Sequence, residues 1–149
     1  MAGYVVTCSS HLSGNGLEPR PDFGVYLCPQ WQDRLSLVWT NGIYIEDLPR
    51  EYPAMIAGWP DQGVVPMTTL EFLVETCRSK IRHGKKVDIG CFGGHGRTGT
   101  LLACVIARME HLSGSMAITA VRERYCKQAI ESQSQERAIR DYAKKAGGI

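Results

Sequence analysis

The sequence predicts an α/β protein in which a small sheet packs against helices. Two observations carry that class. Strand-like segments fill the first part of the chain and helical periodicity fills the later part. Residues 90–100, Gly-Cys-Phe-Gly-Gly-His-Gly-Arg-Thr-Gly-Thr, join a short strand signal, Lys86-Val87-Asp88-Ile89, to a long apolar helix signal, Leu101 to Met109. A strand, a glycine-rich turn and a helix start make an anion cradle, because backbone N–H groups converge there and the helix dipole adds positive potential. In an open α/β sheet such a cradle lies at the carboxyl end of a central strand.

The elements follow in order. Residues 4–8 and 23–28 read as short strands rich in β-branched and aromatic residues, separated by a Gly/Ser/Pro-rich loop, Ser9 to Pro21. Leu35–Trp39 and Ile43–Ile45 read as two strand segments around the turn Thr40-Asn41-Gly42. Four prolines between residues 46 and 66 predict mostly loop, with a short helix near Tyr52–Ala57. Thr68 or Thr69 is expected to cap a helix running to His83, with Leu70, Phe72, Leu73, Cys77 and Ile81 as its apolar face and Gly84 as its stop. Residues 97–111 form a helix that is apolar nearly all round, hence central and buried. Ser115 is expected to cap the next helix, to about Cys126, and Ser132 with Gln135 makes a capping-box pattern for the last, to about Lys145.

The 149 residues suit one domain with a core of its own, with 44% apolar and 21% charged residues. No apolar run approaches the roughly 20 residues that cross a bilayer, so no membrane partner is expected. The start, Met1-Ala2-Gly3-Tyr4-Val5-Val6, does not read as a signal peptide. Six scattered cysteines show no Cys-x-x-Cys pair or metal spacing, and are read as reduced and mostly buried in a cytoplasmic protein. A net charge of +2 gives no case for nucleic acid. Basic clusters at Lys85-Lys86, Arg122-Arg124-Lys127 and Lys144-Lys145 read as solvated helix ends or faces.

The chemistry concentrates in the cradle. Cys91 opens it and Arg97 closes it. A sulfur held against several N–H groups and a guanidinium favours the thiolate, and the same donors suit the oxygens of a phosphate. Phe92, Gly93, Gly94, His95, Gly96 and Arg97 are therefore the expected phosphate-binding positions, and the Thr98 hydroxyl is placed to reach the sulfur. His95 is expected at the pocket rim. The spacing Cys-x5-Arg also occurs at Cys28–Arg34, but there Pro29 deletes an N–H, Asp33 adds a carboxylate and no glycine lets the backbone curl. The stretch lacks the Lys and spacing of a nucleotide P-loop.

A thiolate cannot protonate a leaving oxygen, whereas a carboxylic acid on a mobile loop can. Gly58-Trp59-Pro60-Asp61-Gln62-Gly63-Val64-Val65-Pro66 has those properties: Asp61 between a proline and a turn, Gly58 and Gly63 as hinges, and Trp59 as a latch against the body. Pro21-Asp22-Phe23-Gly24-Val25 looks similar, but it sits at a strand entry without a Trp, so Asp22 is rejected.

Cys91-x5-Arg97-Thr98, preceded by Trp59-Pro60-Asp61, resembles the cysteine-dependent protein tyrosine phosphatase superfamily, in particular its compact dual-specificity members. Ala129-Ile130-Glu131-Ser132-x-x-Gln135 resembles that family's third motif, in which a Gln places the hydrolytic water. The resemblance spans about residues 55–142. It implies a three-layer α/β sandwich with a largely parallel sheet flanked by helices, and hydrolysis of phosphate monoesters without metal or other cofactor. The implied substrate is protein phosphotyrosine, with phosphoserine and phosphothreonine as further candidates, acted on by a monomer. The implied roles are Cys91 as nucleophile, Asp61 as acid then base, Arg97 as oxyanion clamp, Thr98 as stabiliser of the departing thiolate and Gln135 as water-placing residue.

Three departures stand out. Gly90 takes the place of the family's His before the nucleophile. The acid loop is one residue longer before Pro66. Glu131 stands where the tyrosine-specific branch has its first water-placing Gln. Two other readings stay open: a phosphate-binding pseudophosphatase module, and the same chemistry on RNA 5′-phosphates or phosphoinositides. Positions 92–96 carry no Lys or Arg, which a highly charged substrate would favour. Cys104 or Cys126 could pair with Cys91 on oxidation, although Cys104 reads as core.

Overall fold

The computed structural model describes residues 4, 6–9, 20–27, 38–40, 43–46, 52–91 and 93–147. Among them run the strands β1 (Val6–Ser9), β2 (Phe23–Leu27), β3 (Val38–Thr40), β4 (Ile43–Glu46), β5 (Ala54–Ala57) and β6 (Val87–Gly90). The helices are α1 (Met67–Arg82), α2 (Gly96–Glu110), α3 (Gly114–Arg124) and α4 (Gln133–Lys145). The strands form one sheet in the order β1-β6-β2-β5-β4-β3. The first four are parallel, and β4 and β3 add an antiparallel pair at the edge. The α/β class and the largely parallel sheet match the reading of the sequence.

Strand direction places the chemistry. Because β5 and β6 run parallel to β2, the segments leaving Ala57 and Gly90 emerge at the same edge of the sheet. The cradle leaves an interior strand, β6, which lies between β1 and β2.

The two faces of the sheet differ by the alternation of side chains. Val25, Leu27, Met55, Ala57, Val87 and Ile89 belong to the main apolar core shared with the helices. α2 fills the centre of that core: apart from Arg108 and Glu110 it is buried throughout, as its all-round apolar sequence predicts. On the other face Asp88 is buried and accepts from Thr7 Oγ1 (2.8 Å) and Tyr26 Oη (2.9 Å), with Tyr52 Oη 2.6 Å from Tyr26 Oη. Burial and the Asp88 charge push the Tyr26 phenol up, so it stays a donor.

Four local expectations are corrected. Residues 54–57 form a strand, not a helix. Ala54-Met55-Ile56-Ala57 is buried on both faces, and a short apolar run reads alike for either element. The N-cap of α1 is Pro66 without a side-chain cap, so neither Thr68 nor Thr69 serves. Phe72 is half exposed and Val74 takes its place in the core, because the buried stripe of α1 is Leu70, Leu73, Val74, Cys77 and Ile81. Ser113, not Ser115, caps α3 by accepting from Met116 N. Ser132 caps α4 as expected. Gly84, with φ 77°, follows α1 as its stop.

Candidate active site

The turn after β6 curls around the sulfur of Cys91. Gly94 takes φ 75°, a conformation glycine adopts without strain, and its N–H lies 3.2 Å from Cys91 Sγ. Cys91 is 2% exposed. α2 begins at Gly96, so its first N–H groups face the same place. Phe92 and the Cys28–Arg34 copy of the spacing lie outside the described residues.

Arg97, in the first turn of α2, is 3% exposed. Its Nη1 donates to Trp59 O (3.2 Å), and its Nη2 is 3.6 Å from Asp61 Oδ1. Arg97 Nε has no hydrogen-bond partner among the described residues. A buried guanidinium with an unpaired N–H is a donor set suited to an oxyanion. The loop of residues 58–66 thus lies beside the cradle. Trp59 is fully buried, and its Nε1 donates within the loop to Gly63 O (2.7 Å). Asp61 is 73% exposed at the side chain.

Two expected residues behave differently from their sequence reading. Thr98 is buried but its hydroxyl makes no hydrogen bond among the described residues, so the expected contact with the sulfur is not formed. Gln135 is fully buried. Its Oε1 accepts from Glu131 N (2.8 Å) and its Nε2 donates to Gly63 O (3.2 Å), so its amide faces the acid loop. Asp22 accepts from Lys86 N (2.8 Å) at the entry of β2, the sheet edge opposite the cradle, which supports its rejection. Cys104 is buried core and free, and Cys126 is also free. Burial pushes the Cys104 thiol up, away from reactivity.

Other residues brace the cradle from behind, and sequence reading missed them. Tyr125 Oη donates to Gly94 O, and Cys126 Sγ lies 3.3 Å from His95 Nδ1, which is half-buried. His95 O accepts from Gly99 N (2.9 Å) and from Ile130 N (3.2 Å). Ile130 holds φ 67°, a strained setting for a β-branched residue that costs on the order of 1–3 kcal/mol. Its carbonyl accepts from Arg122 Nη2 (3.1 Å), and Arg122 Nε holds Ala129 O (3.1 Å). Arg122, read as solvated, is therefore a structural clamp. A close approach explains Gly99: a Cβ there would lie 2.9 Å from Ala129 Cβ. The Glu131 side chain packs on Gly96, where a Cβ would lie 3.0 Å from its Oε2, so a carboxylate stands beside the cradle.

No family model matches the chain. An uncharacterized protein of Methanocaldococcus jannaschii is 33% identical over 101 residues, 68% of this chain and 67% of its own length. A second protein of that organism is 34% identical over 100 residues, 67% of this chain and 61% of its own length. Protein tyrosine phosphatase domain-containing protein 1 of Danio rerio is 32% identical over 130 residues, covering 87% of this chain but 16% of that protein. The chain thus spans only part of these relatives. Among solved structures, Tk-PTP in the active form superposes with a TM-score of 0.76 at 23% identity, over 96% of this chain and 93% of that one. PTPMT1 in complex with PI(5)P gives 0.73 at 16% identity, over 97% and 94%. Human DUSP28 gives 0.73 at 12% identity, over 95% and 93%. At these identities the solved structures speak for the fold. The chain thus shares the fold of these solved phosphatases, and through 87% of its length it is 32% identical to a protein named for a tyrosine phosphatase domain.

Proposed function

We propose that this chain hydrolyses phosphate monoesters through a phospho-cysteine intermediate, with protein phosphotyrosine as its substrate. One observation carries the reading: Cys91 Sγ, held by Gly94 N–H, shares one edge of the sheet with a buried Arg97 whose guanidinium faces Asp61. The thiolate of Cys91 attacks phosphorus and the bond to the ester oxygen breaks. Asp61 gives its proton to that oxygen. Arg97 and the cradle N–H groups hold the equatorial oxygens, more tightly as charge develops on them. Water then attacks the phospho-cysteine and Asp61 takes its proton. Inorganic phosphate and the thiolate are released, and the atoms balance without a cofactor.

A monoester with one phosphate fits better than a polyanion. The Glu131 carboxylate stands against Gly96, and positions 92–96 bring no Lys or Arg to balance further negative charge. PTPMT1, which shares the fold, was solved with PI(5)P, so a phosphoinositide is the second reading. Both are tested in one assay. Wild type is expected to release phosphate from para-nitrophenyl phosphate and from a phosphotyrosine peptide, and Cys91→Ser to release none. A Cys91→Ser variant that turns over para-nitrophenyl phosphate like wild type would sink the mechanism. Faster release from phosphoinositide vesicles than from the peptide would move the substrate to the second reading.

A further inference from the structure

The start of α4 reaches across the molecule to the acid loop. Ser132 Oγ donates to Gln62 O (2.8 Å), and the next carbonyl, Gly63 O, accepts from Gln135 Nε2 (3.2 Å). These are the two residues directly after Asp61. Gln62 sits at φ 57°, a left-handed conformation that a non-glycine residue adopts at a cost unless its surroundings hold it. Both donors are themselves fixed. Ser132 Oγ accepts from Gln135 N (3.2 Å) as the N-cap of α4, and Ser134 Oγ lies 3.0 Å from it. Gln135 Oε1 accepts from Glu131 N (2.8 Å), which turns its amide nitrogen toward Gly63. Gln135 is fully buried, so a lost partner there is not replaced by water at no cost. On its other side the loop is held by Arg97 at Trp59 O. The loop is therefore gripped at both flanks of Asp61, from the cradle on one side and from α4 on the other.

We infer that Ser132 and Gln135 are positioning residues that hold Gln62 and Gly63 so that Asp61 stays beside Arg97. The inference rests on the phosphatase reading, because it assigns these residues to the proton-donating half of that reaction. They act through Asp61. Their loss weakens proton transfer to the leaving oxygen and leaves thiolate attack in place. That difference is readable from the leaving group: a poor leaving group needs the proton, whereas a good one departs with little help.

The test uses three variants of the full chain. Ser132→Asp keeps an acceptor for the N-cap of α4 but has no O–H to donate to Gln62 O. Ser132→Asn carries both an acceptor and a donor. Gln135→Leu keeps the volume and removes the amide. Ser132→Asp and Gln135→Leu are expected to lose about tenfold more rate on phenyl phosphate than on para-nitrophenyl phosphate, by weakening general-acid assistance. They are also expected to flatten the alkaline limb of the pH–rate profile, and Ser132→Asn to recover both. Equal losses on the two substrates, or an unchanged alkaline limb, would overturn the inference.

Amide hydrogen exchange supplies a readout independent of turnover. Residues 58–66 are expected to exchange faster in Ser132→Asp, with the interior of α4 protected as in wild type. Unchanged exchange in the loop counts against the latch even if wild type is inactive. Faster exchange in an inactive wild-type background supports the latch and refutes only the phosphatase reading.

Discussion

Arg97 shows how one side chain ties the cradle to the loop that carries Asp61. Its Nη1 ties it to the acid loop at Trp59 O and its Nη2 faces Asp61, while its buried Nε has no partner among the described residues. A desolvated N–H without an acceptor costs about 1–3 kcal/mol, which an oxyanion accepting from that edge of the guanidinium recovers. Lysine offers a point charge and cannot both grip two oxygens and hold a carbonyl. Arg97→Lys is therefore expected to lower kcat for a phosphotyrosine peptide by about 10²–10³-fold, the scale of a lost oxyanion donor. Asp61→Ala is expected to cost roughly 10²–10⁴-fold on the same substrate. Steady-state kinetics against wild type check both, and Arg97→Lys at near-wild-type kcat would remove the guanidinium from the mechanism.

The elements are held together by polar clamps as well as by the core. Glu110, at the end of α2, accepts from Arg124 Nη1 (2.7 Å) and Nη2 (3.0 Å) at the end of α3 and from Tyr4 Oη (2.6 Å) ahead of β1. The Arg124 bond first, and then the Tyr4 bond, hold the Glu110 carboxyl below the usual carboxylate range, with partial burial acting the other way. A folded value below the unfolded one means that the cluster contributes fully above the unfolded pKa of about 4.3 and is lost as pH falls through the folded value. The guanidinium is half exposed, so solvent screening limits the cluster to about 0.5–1 kcal/mol. Glu110→Gln is expected to lower Tm by about 1–4 °C at pH 7 for a chain of this length. Thermal scans from pH 7 to pH 3 should show the two proteins converging as the acid limb is reached. A constant gap across that range would mean that the charge of Glu110 contributes nothing.

At the scale of the whole molecule, the site is assembled from four regions that meet at one edge of the sheet: the loop after β5, the turn after β6, the start of α2 and the start of α4. None of them can be displaced without moving another, since Arg97, Gln135 and the backbone of Ile130 each bridge two of them. An anion bound at the cradle binds the folded chain alone, and so stabilises the whole domain by mass action. Inorganic phosphate at about a hundred times its Kd is expected to add about 2.7 kcal/mol. For Cys91→Ser this should raise Tm by several degrees in a fluorimetric melt, and Arg97→Ala should abolish the rise. A phosphate-independent Tm in Cys91→Ser would deny the cradle its anion.

The sequence by itself determined the α/β class, the cradle with Cys91 and Arg97, and the loop that carries Asp61. Each of these is written in a contiguous stretch, where glycines, a proline and a helix start dictate the backbone whatever packs around it. Only the tertiary structure decided that residues 54–57 extend as a strand, that Phe72 faces outward and that Ser113 caps α3. It alone engaged Arg122 with the carbonyls of Ala129 and Ile130 and brought Ser132 to a carbonyl 70 residues away in sequence. Burial depends on what covers a segment, and a hydrogen bond between distant residues depends on how helices and strands dock. Neither is encoded in the spacing of neighbours along the chain.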